Sequence, residues 1–211
     1  MQTNHVMGDY VALEPLTAAH KPALLLNARE RKHPLWHTGL PSVSEFDAWF
    51  EQALLSDNAN SSQHFAVRLR HASTNSDQII AWVAINRWSQ TNLRARLQLE
   101  DLPLAALPDV DDPIPSEPEL GEPKLGDTEL SKQVALLLMD YAFSDKRAIV
   151  VEFATFWHHQ ALRALAVSLG AQQDGVLRNH RILADGTVHD QVIYSVLDSE
   201  WRQMQARRSH T

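Results

Sequence analysis

The chain contains no cysteine. Disulfides, thiolate metal sites and cysteine nucleophiles are thereby excluded. Only 7 of its 211 residues are glycine, which leaves little from which to build a glycine-rich phosphate loop. No apolar run approaches the ~20 residues that span a bilayer. The opening MQTNHVMGDY has neither a basic n-region nor an apolar core, so no export signal and no membrane partner are expected, and a cytoplasmic location is. Positive charge is also scarce, with 19 Lys and Arg against 26 Asp and Glu for a net −7. Residues 100–129 hold ten acids and one base, Lys124, which leaves the rest of the chain at about +2. A nucleic-acid surface needs a basic stripe, and none is present.

What is present fits an ordinary globular protein, 44% hydrophobic and 21% charged, long enough for one domain with a full core. Strand and helix signals alternate. Tyr10–Leu16 reads as a strand, and Thr17 caps a helix over residues 18–31, with Pro22 tolerated near its start. Ser44 opens a second helix, in which Phe46, Trp49, Phe50, Ala53 and Leu54 share one face. His64–Arg70 and Gln78–Trp88 flank the turn Asn75-Ser76-Asp77 as a hairpin. Residues 101–123 carry six of the ten prolines and no period. They read as an acidic, proline-rich insertion at about 100–123 within a single domain spanning 1–211.

Beyond the insertion the pattern is regular. Leu130, Val134, Leu137, Leu138 and Tyr141 form a helical stripe. Ala148–Ala154 is too apolar for a half-exposed strand and reads as a central one. A helix over His158–Leu169 turns Leu162, Leu165, Ala166 and Leu169 inward and stops at Gly170. Strands Asp174–Ile182 and Thr187–Leu197 follow, joined by Ala184-Asp185-Gly186. Together these elements make a mixed α/β sheet. His33 and His37 have the spacing of a helical metal pair, but Pro34 breaks a helix there and no third ligand is near, so no metal is expected.

LLLMDYAF (136–143), VVEFAT (150–155) and SLGAQQDGVLRNHRILADGTVHDQVIYSVLDSEW (168–201) carry a likeness to a known family. In the last stretch the decisive runs are Asp174-Gly175-Val176-Leu177-Arg178, Asp185-Gly186 and Tyr194 to Trp201. The chain resembles the GNAT superfamily of acyl-CoA-dependent N-acetyltransferases, and within it the branch of ribosomal-protein N-terminal acetyltransferases. The resemblance implies an α/β fold of the α+β type, a mixed, mostly antiparallel sheet splayed between its fourth and fifth strands with helices on both faces. It implies acetyl-CoA in that split and transfer of an acetyl group to a primary amine, such as a peptide or protein N-terminus. Acids near the cleft suit a cationic acceptor, and the family's habit of dimerising makes a homodimer an expectation.

Site residues follow from the same alignment. Counting back from Ala142-Phe143, the pyrophosphate loop falls on Gly126, Thr128, Glu129, Leu130, Ser131 and Lys132. Thr128 matches, while Asp127 and Glu129 stand where the family has glycines and Ser131 where it has asparagine. A carboxylate ~4 Å from a phosphate costs about 4 kcal/mol at an effective dielectric of about 20. Acids in a first turn also complement the helix dipole, with Thr128 or Ser131 as cap. His159 and Leu162 replace the family's Asn-x-x-Ser; His159 is a candidate cofactor ligand and catalytic acid or base, and His158 points away from it. The tyrosine that some relatives place later on this helix has no counterpart at Ala164, Leu165 or Ala166. Glu119-Leu120-Gly121-Glu122 resembles the family's fourth strand, which makes Leu120 and Gly121 pantetheine contacts and Glu119 and Glu122 candidate bases, with Pro123 shortening the ladder. Trp36 falls where relatives contact substrate. Trp82 and Trp88 read as core or edge packing, and Arg178 to Arg181 as a solvated strand edge. Two functions stay open: an N-acetyltransferase, and a GNAT-fold binding or scaffolding protein that has lost its cofactor site.

Overall fold

The computed structural model describes residues 6–8, 10–30, 41–58, 62–70, 78–99, 102, 127–183 and 186–208. Eight strands form one sheet: β1 (Val6–Met7), β2 (Val11–Pro15), β3 (Gln63–Leu69), β4 (Gln78–Ser89), β5 (Arg94–Gln98), β6 (Val150–Phe156), β7 (Gln172–Ile182) and β8 (Val188–Leu197). Their order is β1-β2-β3-β4-β5-β6-β8-β7. Every adjacent pair is antiparallel except β5 and β6. Five helices complete the fold: α1 (Lys21–Glu30), α2 (Phe46–Asn58), α3 (Asp127–Asp140), α4 (Gln160–Ser168) and α5 (Asp198–Arg208).

Strand alternation sorts the side chains onto two faces. On one face Ala66, Trp82 and Ala84 pack with Leu24 of α1 and with Phe46, Phe50 and Ala53 of α2. On the other, Phe65, Val83, Leu97, Val151 and Phe153 meet the expected stripes of the later helices, Leu130, Val134 and Leu138 of α3 and Leu162, Leu165 and Ala166 of α4. Trp201 of α5 closes this core by stacking on Phe143, with ring centroids 5.5 Å apart. Helices therefore cover both faces, as the resemblance implies. Gly170 ends α4 at φ +78°, a conformation that favours glycine. Among the described residues, no helix is long and apolar enough to cross a membrane.

Two elements differ from the sequence reading. The described strand beside β6 is Arg94–Gln98, which the sequence reading did not name; Glu119–Glu122, expected there, lie outside the described residues. The first helix begins only at Lys21, preceded by a 3₁₀ turn over Ala18–His20, because the Thr17 N–H donates to His20 Nδ1 at 3.1 Å and tightens the entry. Of the acidic insertion only Leu102 is described. It is buried, and its N–H donates to the Leu99 carbonyl at 3.1 Å.

Candidate active site

The parallel pairing of β5 and β6 is short. It runs from Arg94 opposite Val150 to Leu97 opposite Phe153. Past that point Gln98 stays with β4, opposite Ala84, while Ala154, Thr155 and Phe156 stay with β8, opposite Ile193, Val192 and Gln191. The sheet therefore splits between β5 and β6, which are its fifth and sixth strands once Val6–Met7 is counted.

A charged clip holds the closed end. Arg94 Nη2 lies 2.7 Å from Glu152 Oε1, and Arg96 Nη2 lies 3.0 Å from Glu152 Oε2. Register brings these three side chains to one face of two adjacent strands. One carboxylate thus ties β5 to β6 with charge-assisted hydrogen bonds, and Glu152 is committed to that task rather than available as a base.

The first turn of α3 supplies the other component. Asp127 and Thr128 begin the helix, Glu129 is exposed, Lys132 is half-buried, and Leu130 and Ser131 are buried, Ser131 completely. The Glu129 carboxylate thus lies on the solvent side of the helix. Backbone N–H groups in a first turn have no intrahelical acceptor and sit at the positive end of the helix dipole. Gly126 and Trp36 lie outside the described residues, as do His33 and His37.

His159 is the residue preceding α4, and its carbonyl accepts from Arg163 N at 3.1 Å. Its Nδ1 lies 3.2 Å from Oγ1 of Thr155, a buried residue on the stretch of β6 that has left β5. His159 therefore stands at the open end of the split, on the α3 and α4 face. Leu162 is buried in the core, so the hydroxyl that the family carries there is replaced by packing. Tyr194 OH accepts from Arg163 Nε at 3.1 Å on this face.

The opposite face carries residues that sequence reasoning missed. Phe156, His158 and His189 form a ring cluster there. Phe156 and His158 stack with centroids 5.6 Å apart and an 8° interplanar angle. His189 stands edge-on to both, at 5.8 Å from Phe156 and 4.9 Å from His158. Burial, and secondarily the His189 charge, lower the His158 pKa. On the β5 side of the split, Asn86 Nδ2 donates to Gln98 Oε1 at 2.7 Å, and Asn86 Oδ1 is buried without a partner among the described residues. No spacing rule links residues 158 and 189; only the register of β6 and β8 does. A groove of about 890 Å³ between α3 and α5, lined by Gln133, Leu137, Trp201 and Arg202 among others, lies away from these groups.

No family model matches the sequence, and no curated protein matches it. Solved structures do. A GCN5-related N-acetyltransferase from Brucella melitensis is 21% identical, with 96% of this chain and 82% of that one covered and a TM-score of 0.70. The ribosomal α-N-protein acetyltransferase RimL, in complex with coenzyme A, is 13% identical over 93% and 99%, with a TM-score of 0.68. The microcin self-immunity acetyltransferase MccE, in complex with acetyl-CoA and AMP, is 16% identical over 90% and 93%, with a TM-score of 0.61. The architecture read from the C-terminal motifs thus holds over nearly the whole chain, which has the fold of the GNAT N-acetyltransferases.

Proposed function

We propose that the protein is an acyl-CoA-dependent N-acetyltransferase that moves an acetyl group from acetyl-CoA to a primary amine. The observation that carries this reading is the split itself, with β5–β6 pairing ending at Leu97 and Phe153 above the Arg94–Glu152–Arg96 clip. Among the described residues no strand pairs with the end of β5 on the β6 side, which leaves its backbone groups open to an extended pantetheine chain. The donor set suits a diphosphate as well: first-turn N–H groups of residues 127–129, the half-buried Lys132, and a Glu129 carboxylate directed to solvent. Among the described residues, Gln98 and Leu99 at the end of the strand beside β6 are the candidates for pantetheine pairing; Leu120 and Gly121 lie outside the described residues.

In the reaction the amine nitrogen bonds to the acetyl carbon and the thioester C–S bond breaks. The nitrogen loses a proton and coenzyme A leaves as its thiol. The chain's own contribution is to hold the two reactants together, to offer a backbone N–H to the carbonyl oxygen and to accept the proton. The favoured acceptor is the N-terminus of a cationic peptide or protein, since the −9 carried by residues 100–129 attracts positive charge. The other reading, a scaffold without a cofactor site, draws on the buried Leu162.

The missing cysteine makes the test simple, because a thiol-reactive dye reads released coenzyme A with no protein background. Incubation with acetyl-CoA and an arginine-rich peptide with a free N-terminus is expected to release thiol in step with peptide acetylation by mass. Thiol release without acetylated peptide contradicts the acceptor assignment. Neither signal, together with no binding of acetyl-CoA, supports the scaffold.

A further inference from the structure

We propose that His158 takes the proton from the acceptor amine and that His189 positions it. This assignment rests on the transferase reading above.

Placement is the first argument. Along β6, Val151, Phe153 and Thr155 face α3 and α4, whereas Glu152, Ala154 and Phe156 face the other way. His159 bonds to Thr155 and belongs to the helix-α4 side; His158 stacks on Phe156 and belongs to the opposite side. The two neighbouring histidines thus lie on opposite faces of the sheet just past the end of β6, the strand that borders the split, with His158 leaning toward β8. In β8, Gln191 lies opposite Phe156, so His189, two residues earlier, reaches the same face just past the end of β6. If pantetheine runs on the α3 side, the acceptor meets the thioester from the His158 side.

Chemistry is the second argument. Among the described residues, the charged and titratable groups on the elements around His158 are His189 and Asp190 of β8, Arg181 of β7 opposite His189, Glu152 lower on β6, and His159 and Arg163 at the start of α4. The described carboxylates here are engaged. Glu152 is held by two guanidiniums, and Asp190 Oδ1 accepts from the Asn179 N–H at 2.8 Å. Burial, and secondarily the His189 charge, oppose a positive charge on His158. A neutral imidazole is therefore favoured, and a neutral imidazole is what accepts a proton. His189 is fixed in turn by Thr187 Oγ1, 2.8 Å from its Nε2.

The test uses the full chain, acetyl-CoA and the arginine-rich peptide. His158→Gln is expected to lower kcat about 10²-fold or more while the calorimetric Kd for acetyl-CoA is unchanged. Wild-type kcat is expected to rise with pH through an apparent pKa below the ordinary histidine value. His189→Asn is expected to move that pKa upward, and by more at low than at high ionic strength, because the part due to the His189 charge is screened by salt while the part due to packing is not. The His158 ring titrated by NMR, which needs no acceptor, is expected to shift the same way. Unchanged kcat and pH profile in His158→Gln, or an unmoved titration in His189→Asn, overturns the assignment and leaves the transferase intact. A wild-type protein that binds no acetyl-CoA and acetylates nothing overturns both. If His158→Gln fails to bind acetyl-CoA, His158→Asn and the NMR titration decide the matter.

Discussion

Trp82 Nε1 donates to His64 Nδ1 at 3.2 Å, so the His64 proton sits on Nε2, 3.0 Å from Ser56 Oγ. Ser56 in turn donates to the Ala53 carbonyl at 2.9 Å. Protonating His64 would set two donors against each other, and burial holds its pKa at about 4. The 3.7 Å approach of Asp57 is therefore not an ion pair. Asp57 itself is pushed up to about 7 by burial, against the lowering effects of the His64 N–H and of Lys146. The two groups act in opposite directions. The His64 contribution to stability is complete above 6.5 and is lost as pH falls through about 4. The Asp57 contribution is complete below 3.8 and is lost as pH rises through about 7. Asp57→Asn keeps an acceptor for the His64 N–H and cannot ionise. It is expected to exceed wild type by about 2 kcal/mol at about pH 8, roughly half the full conversion because solvent reaches the side chain, and to match it at about pH 4. Denaturant melts at both pH values check this, and an equal difference at the two contradicts it. None of this was legible in the sequence, where His64 read as a strand residue and Asp57 had no assignment.

Among the elements, those with an apolar period were legible and those organised by charge were not. The stripe Leu130, Val134 and Leu138 announces α3, and the gathered apolar run at 150–154 announces β6. Strand β5 went unseen because RARLQ places two arginines in five residues, which reads as loop until Glu152 of β6, over 50 residues away, takes both of them. Helix α5 has one buried residue, Trp201, too little for a stripe. Glu152→Ala leaves two guanidiniums without their partner. It is expected to cost about 2–3 kcal/mol, with amide exchange speeding first in β5 and the start of β6; a uniform loss across the sheet contradicts the clip. Gly170→Ala tests a helix end. A Cβ there meets Met204 Sδ at 2.8 Å, a side chain that can move, so the cost comes mainly from φ +78°. It is expected to be about 1 kcal/mol, a fall in Tm of roughly 2–4 °C. An unchanged Tm would mean that the backbone relaxes.

Over the whole molecule, two cores on either side of one sheet fix the faces, and the single parallel pair opens the sheet between them. The C-terminal motifs made this architecture legible because each marks a turn or a helix end with its own chemistry. The site was legible only in part. His159 could be reached by counting along one chain segment, whereas His158 and His189 meet only through strand register. The acidic loop residues looked hostile to phosphate in sequence, but a helix has an outside, and Glu129 is on it. Calorimetric titration of acetyl-CoA into the full chain tests the open split most directly. The account predicts one site with a Kd in the micromolar range, weakened by Lys132→Glu. No heat at millimolar acetyl-CoA would contradict it.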